Sequence, residues 1–474
     1  MESYDFAVIG GGSAGYAAAA AAARLGLKTC CIEGGKDVGG LCILQGCMPS
    51  KALLESANRF RTLRRADEFG LRTGKIGFSA ESIIQRKRRL VAGFAGYRAE
   101  QLHRGKFEFI RGKAQFLDAQ RLRVQHLGTM GDFSGHTSEL MARTTLVATG
   151  SEIDVIDLPG LVEAGYLTSD SALDTESIPA SCVILGGGAI ALEFAHYYES
   201  FGSRVTIIQR SGQLLKEADG DIAEALTEAY RHRGMDIRCG TRLLRVAREG
   251  QQRTVHFEQG GAPHSASGEE VFYALGRRPT TAHLGLPEAG VERDGRGAIL
   301  VTPTMQTTEP TLFAAGDVTG TWEVVHLAIE QGVLAAQNAA RLLQGKPLQS
   351  MDYRLKLFAM FSEPQVAFVG LTEREAAGQG LAIKSACYPF SDHGKGLVHG
   401  EPEGFVKLLC LAGTGEIVGG AVVGAAASEL IHEITVAMYF RATAGQLASI
   451  PHYHPTLSEI WTYPAEELAE SVLG

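Results

Sequence analysis

Tyr4-Asp5-Phe6-Ala7-Val8-Ile9-Gly10-Gly11-Gly12-Ser13-Ala14-Gly15 opens the chain as an apolar run of strand length that breaks into glycine. An alanine-rich helical pattern follows, and Lys28-Thr29-Cys30-Cys31-Ile32-Glu33 then returns as a second strand ending in an acid. Strand, glycine turn, helix, strand and acid in that order form the dinucleotide-binding fingerprint. Gly10 serves the turn, Gly12 lets backbone approach a phosphate, and Gly15 lets the helix pack on its strand. From Ser13 the helix presents free N–H groups to a pyrophosphate, and Glu33 is placed to accept from a ribose hydroxyl.

The pattern occurs twice. Cys182–Leu185 repeats the strand, followed by Gly186-Gly187-Gly188-Ala189-Ile190-Ala191, with Ala191 in the third small position. A step of 23 residues separates Gly10 from Glu33, and the same step from Gly186 lands on Gln209, with Arg210 next and Lys216 beyond. A carboxylate there would bind a free ribose 2′-hydroxyl and repel a 2′-phosphate; basic residues reverse the preference, so this second site leans to NADP(H).

Between the two lies Gly39-Gly40-Leu41-Cys42-Ile43-Leu44-Gln45-Gly46-Cys47-Met48-Pro49-Ser50-Lys51. Cysteines five apart are separated by about 500° of helical rotation, so an intact helix does not stack them. A distorted first turn would bring the sulfurs to disulfide distance, and Gly39 and Gly40 would admit a flat cofactor close to the backbone. The competing reading is two buried structural cysteines. Near the other end stands His452-Tyr453-His454-Pro455-Thr456-Leu457-Ser458-Glu459. A histidine with a carboxylate five residues on forms a base–orienter pair if the chain turns at Pro455.

A chain of 474 residues is too long for one core and implies about three domains. The net charge of −8 gives no sign of a nucleic-acid surface. Eight cysteines in this length make no disulfide scaffold. Cys30, Cys31, Cys182, Cys239, Cys387 and Cys410 lack metal-ligand spacing and read as mostly buried small hydrophobes, so no metal is expected. The run Ala17–Ala23 is too short to span a bilayer, and a strand starting near Tyr4 leaves no room for a targeting segment. The expectation is a cytoplasmic enzyme with no membrane partner. Arg59–Arg65 and Arg86–Arg89 read as solvated helix faces. Loop-like composition at Pro159–Pro179 marks a domain crossing, and the pattern changes again from about Tyr353. Gly404–Leu408 and Ile417–Gly420 alternate like antiparallel strands, and Ser428–Met438 reads as a helix suited to a subunit contact.

GGLCILQGCMPSK resembles the redox-active disulfide signature of the flavin-dependent pyridine nucleotide–disulfide oxidoreductases, and HYHPTLSE resembles their C-terminal motif. Dihydrolipoamide dehydrogenase, glutathione reductase and mercuric reductase belong to that family, and matching segments run from the first strand to the last twenty residues. The resemblance implies an α/β fold of two Rossmann-like domains, the FAD domain split by the NAD(P) domain, plus a C-terminal α+β dimerisation domain. The boundaries expected are 1–150 and 276–350 for FAD, 151–275 for NAD(P) and 351–474 for the interface.

It also implies roles. Cys47 stands against the flavin, Cys42 exchanges with substrate, and Lys51 sits beside the flavin ring in an ion pair with Glu193. Ala114, Thr149 and Gly150 fall in segments that close over the adenine end of FAD. Gly276 marks the return from the second domain, and Gly316 and Asp317 form the second FAD motif, with Asp317 on a ribityl hydroxyl. His454 is the acid/base, Glu459 orients it, His452 is secondary, and the pair reaches the other subunit's disulfide in a homodimer. Arg210 and Lys216 resemble the basic pair of NADPH-using glutathione reductases. The implied enzyme moves electrons between NAD(P)H, FAD, the Cys42–Cys47 disulfide and a small-molecule or lipoyl-type dithiol–disulfide couple, as dihydrolipoamide dehydrogenase does. The alternatives are an NADPH-dependent reductase of glutathione- or mercuric-reductase type and a non-catalytic flavoprotein redox sensor. The tail Glu470–Gly474 lacks the cysteine pair of mercuric reductases, and both redox cysteines speak against a soluble transhydrogenase.

Overall fold

The computed structural model describes residues 1–128 and 131–473. The chain divides into two compact units: residues 1–52, 85–155 and 276–351, and residues 53–84, 156–275 and 352–474. Residues 53–84 thus pack with the second unit, apart from the rest of the first 150.

In the first unit, β1 (Glu2–Ile9), α1 (Ser13–Arg24) and β2 (Thr29–Glu33) form the strand–turn–helix–strand of the first fingerprint. After the short α2 (Gly40–Leu44), α3 (Cys47–Arg64) and α4 (Ala80–His103) come β3 (Glu108–Phe116), β4 (Arg121–Leu127) and β5 (Phe133–Val147). β2 and β5 flank β1 in parallel, β3 lies parallel beyond β2, and the strand Leu312–Ala314 lies parallel beyond β5. β4 pairs antiparallel with both β3 and β5. Strands covered on both faces need continuous apolar runs: Phe6, Ala7 and Val8 are wholly buried, as are Cys30 and Cys31. The alanine run is a core feature, since Ala18, Ala19, Ala21 and Ala22 let α1 lie close against the helix Val325–Leu343. A Cβ on Gly332 of that helix would stand 2.3 Å from the Ala14 carbonyl oxygen.

The second unit holds a parallel sheet in the order Asp236–Arg238, Arg204–Ile208, Ser181–Leu185, Glu270–Tyr273, Leu167–Thr168. The helix Ala189–Ser200 follows its glycine turn. From residue 352 onward a five-stranded antiparallel sheet runs Leu357–Met360, Gln365–Gly370, Ile417–Gly424, Phe405–Leu411, Ile383–Pro389. Its core takes Ile431, Ile434 and Met438 from the helix Ala427–Tyr439. Two Rossmann-like regions and a C-terminal α+β domain are the architecture the motifs imply.

One local expectation changes, while the six cysteines outside the Cys42–Cys47 pair are, as expected, mostly buried. Cys387 is exposed and Cys239 half-buried, whereas Cys30, Cys31, Cys182 and Cys410 are buried. The arginines of α3 do not all face water: Arg61 pairs with Glu363 at 2.6 Å and Arg65 with Glu401 at 2.6 Å. Long-range packing supplied carboxylates that the local charge pattern did not reveal. Among the described residues, no helix is long and apolar enough to cross a membrane.

Candidate active site

Cys42 ends up beside Cys47 because the helix is broken between them, not distorted. Cys42 lies in α2, Cys47 opens α3, and Gln45 and Gly46 separate the two. A Cβ on Gly46 would stand 3.0 Å from the Leu41 carbonyl oxygen and 3.1 Å from the Cys42 Cα, so glycine permits the fold-back. Both cysteines are half-buried, and their side chains hydrogen-bond to each other. That bond pushes the Cys42 thiol well above its ordinary pKa, burial adds to it, and the positive charge of Lys51 opposes it. A Cys42 whose thiol is held protonated needs a base before it can attack. Lys51 lies one turn beyond Cys47 on α3.

Gly40 packs against the phosphate turn. At φ +71° its added Cβ would lie 2.6 Å from the Cα of Gly12, so the thiol loop crosses directly over the phosphate turn. The same turn fits a bound dinucleotide. Helices elsewhere in the chain carry capping boxes built on Thr168, Thr372 and Thr443. α1 begins after Gly12 with no side-chain cap and no acid in its first turn, so its N–H groups are left for an anion. Gly15 holds α1 onto the turn, since a Cβ there would lie 1.8 Å from the Gly10 carbonyl oxygen.

Glu33 accepts from the Gly11 and Gly35 backbone N–H groups at 2.7 and 2.6 Å, and a carboxylate has lone pairs left for a ribose hydroxyl. Ser151 Oγ donates to Asp317 at 2.7 Å and accepts from Arg277 Nε at 2.9 Å. Thr149 Oγ1 donates to the Thr280 carbonyl at 2.6 Å, and the Thr280 N–H returns to Gly150 at 2.9 Å. Gly316 N–H donates to the buried Gln331 at 2.8 Å. Gly150, Gly276 and Gly316 all have positive φ, and Ala114 is buried on β3.

The second turn copies the first. A Cβ on Gly186 would lie 2.4 Å from the Ala274 carbonyl oxygen, as one on Gly10 would from that of Ala148. A Cβ on Gly187 would meet the Gln209 side chain at 2.9 Å, as one on Gly11 would meet Glu33 at 2.9 Å. Gln209 thus fills the place of the acid. Arg210 is exposed, and among the described residues no hydrogen bond or ion pair engages its guanidinium; Lys216 is exposed, 3.6 Å from Glu217. Gly188 starts the helix Ala189–Ser200, again without a side-chain cap. Glu193 is not a solvated helix residue: it is 5% exposed and accepts from the Phe361 N–H at 3.0 Å.

At the far end, His454 Nδ1 lies 2.9 and 3.1 Å from the two Glu459 oxygens. Glu459 Oε2 also accepts from the Thr456 N–H at 3.1 Å. Burial acts to raise the Glu459 carboxyl, but the bonds from His454 and Thr456 outweigh it and hold the group below the usual carboxylate range. The histidine side chain is 77% exposed and the glutamate 13%, so an anchored acid presents a reachable imidazole. His452 lies behind, its Nε2 2.5 Å from Glu433 and its Nδ1 2.9 Å from the Ile450 carbonyl. Glu433 was not legible in the sequence, being 19 residues away on the helix Ala427–Tyr439 with no motif around it.

Residues 4–332 match the family described as pyridine nucleotide-disulphide oxidoreductase, and residues 358–465 match its dimerisation domain. The chain belongs to this family. It is an FAD-dependent enzyme of the dihydrolipoyl dehydrogenase-like kind, exchanging electrons between NAD(P) and a dithiol–disulfide couple. The dihydrolipoyl dehydrogenase of Bacillus subtilis is 34% identical over 463 residues, covering 96% of both chains. That of Chlorobaculum tepidum is 36% identical over 460 residues, covering 96% of this chain and 95% of its own. Among solved structures, LpdA from Mycobacterium tuberculosis superposes with a TM-score of 0.86 at 28% identity, covering 99% of this chain and 100% of that one. The HOCl-induced flavoprotein disulfide reductase RclA from Escherichia coli gives 0.83 at 26%, covering 98% and 99%.

Proposed function

We propose that the enzyme oxidises dihydrolipoamide, or a lipoyl group of the same chemistry, as a homodimer in which His454 of one subunit serves the thiols of the other. The observation that carries this is the His454–Glu459 pair: a carboxylate anchored by the Thr456 N–H holds a reachable imidazole, the acid/base that a dithiol substrate needs. Bound FAD supplies the two-electron chemistry joining nicotinamide to the thiol pair. The FAD segments are 1–150 and 276–350, the NAD(P) segment 151–275 and the interface segment 351–474.

In dithiol oxidation, His454 takes the proton of a substrate thiol, and the thiolate attacks Cys42 of the Cys42–Cys47 disulfide, releasing Cys47 as thiolate. The second substrate thiolate then attacks the mixed disulfide and leaves Cys42 reduced. Run backwards, Cys42 gives its proton to His454, attacks the substrate disulfide and is resolved by Cys47. The family match to a dimerisation domain supports the two-chain site, as do the exposed Val436, Tyr439, Phe440, Ile450 and Tyr453 around the motif. Cysteines kept as buried thiols fit a reducing, cytoplasmic compartment.

A second reading, an NADPH-dependent disulfide reductase, is favoured by one feature: Gln209 and Arg210 stand where an NAD-specific site carries an acid. The test is an anaerobic mix of oxidised enzyme with dihydrolipoamide, followed in the visible spectrum. A rapid thiolate–flavin charge-transfer band is expected. An unchanged spectrum, with NADPH alone producing that band, would refute the lipoyl reading and favour the second.

A further inference from the structure

Arg98 is a half-buried cation without a counter-ion. Its Cζ lies 4.3 Å from the Tyr16 ring centroid, its Nε donates to Gln101 at 3.2 Å, and its Nη1 is buried without an acceptor. Among the described residues no carboxylate pairs with it, whereas the partly buried Arg61, Arg65, Arg233 and Arg253 each hold one. Burial pulls the guanidinium below its ordinary pKa, with Tyr16 and Cys42 acting against that pull. A desolvated, unpaired charge destabilises the fold that carries it, so its retention points to a ligand.

Its location says which one. Tyr16 is in the first turn of α1, its N–H bonded to the Gly12 carbonyl at 2.9 Å. Gly12 abuts Gly40, and Gly40 stands two residues before Cys42. The cation thus stands by the phosphate turn over which the Cys42 loop crosses, within electrostatic reach of the Cys42 thiol.

We infer that Arg98 recognises an anionic group, a carboxylate, carried by the dithiol–disulfide substrate. The inference rests on the reading of Cys42 as the substrate-facing thiol. A guanidinium fork matches a carboxylate in a way that an amide does not. The enzyme should therefore favour free dihydrolipoate over its neutral amide in kcat/KM.

The test compares holoenzyme with Arg98→Gln and Arg98→Lys on dihydrolipoate and dihydrolipoamide. A second pair, a dicarboxylated aromatic disulfide and neutral dithiodipyridine, is reduced with NADPH. In Arg98→Gln the acid-to-neutral ratio of kcat/KM should fall about 10–100-fold in each active pair, and Arg98→Lys should keep part of it. An unchanged ratio overturns the proposal. So does loss of flavin from both variants, which would assign the cation to the cofactor diphosphate. Failure of the lipoyl reading alone would look different: neither lipoyl compound would turn over while the aromatic pair still discriminated by charge.

Discussion

Glu459→Gln isolates what the carboxylate does for the base. The wild-type side chain accepts from His454 Nδ1 at 2.9 Å and from the Thr456 N–H at 3.1 Å, and is 13% exposed. Glutamine keeps the shape and one acceptor but removes the charge. A charge-assisted hydrogen bond contributes about 1.5–3 kcal/mol and a neutral one about 0.5–1.5. The difference, about 1–1.5 kcal/mol, is close to tenfold in rate and about one pH unit. The Glu459 carboxyl lies below its ordinary value when folded, so its stabilising effect is complete above about pH 4.3 and is lost as pH falls through the folded value. Across pH 6–9 the wild type thus works with the charge in place. Stopped-flow reduction of the oxidised enzyme by dithiol should slow about tenfold in the variant, with its acid limb moved to lower pH. Reduction by NADPH should keep its rate. Equal loss in both half-reactions, or no shift of the acid limb, would refute the assignment of Glu459 as the partner of the base.

Other perturbations probe the rest of the machinery. Cys42→Ser should leave a long-wavelength thiolate–flavin absorbance from Cys47; its absence in the visible spectrum would reverse the two roles. Arg210→Ala should raise KM for NADPH about tenfold or more while changing that for NADH little, and a wild-type preference for NADH would sink the basic-pair reading. Lys407 is 1% exposed and tied to Asp221, Glu373 and Asp219 at 2.8, 3.0 and 3.3 Å. Lys407→Met should cost about 3 kcal/mol, the low end for a broken buried pair because two of its partners reach solvent, and should lower the melting temperature by about 3–5 °C. Gly40→Ala would drive a Cβ to 2.6 Å from Gly12 at a positive φ. Reduced flavin content of the purified variant, read from its visible-to-ultraviolet absorbance ratio, is the expected result.

What the sequence determined was everything encoded over a few turns of chain. A glycine turn between two apolar strands specifies a dinucleotide site because φ, strand burial and helix start are local properties. This held for both copies, including the substitution of Gln209 for the acid. The His454–Glu459 pair was legible for the same reason, its members being five residues apart. Tertiary structure alone decided the contacts between distant segments. Gly40 is glycine because the loop crosses Gly12, His452 is held by Glu433, and the arginines of α3 find Glu363 and Glu401. Arg98 meets Tyr16 across 82 positions of chain and has no local signature. Side-chain identity fixes what a residue can do; which group it faces is set by packing, and packing depends on the whole chain at once.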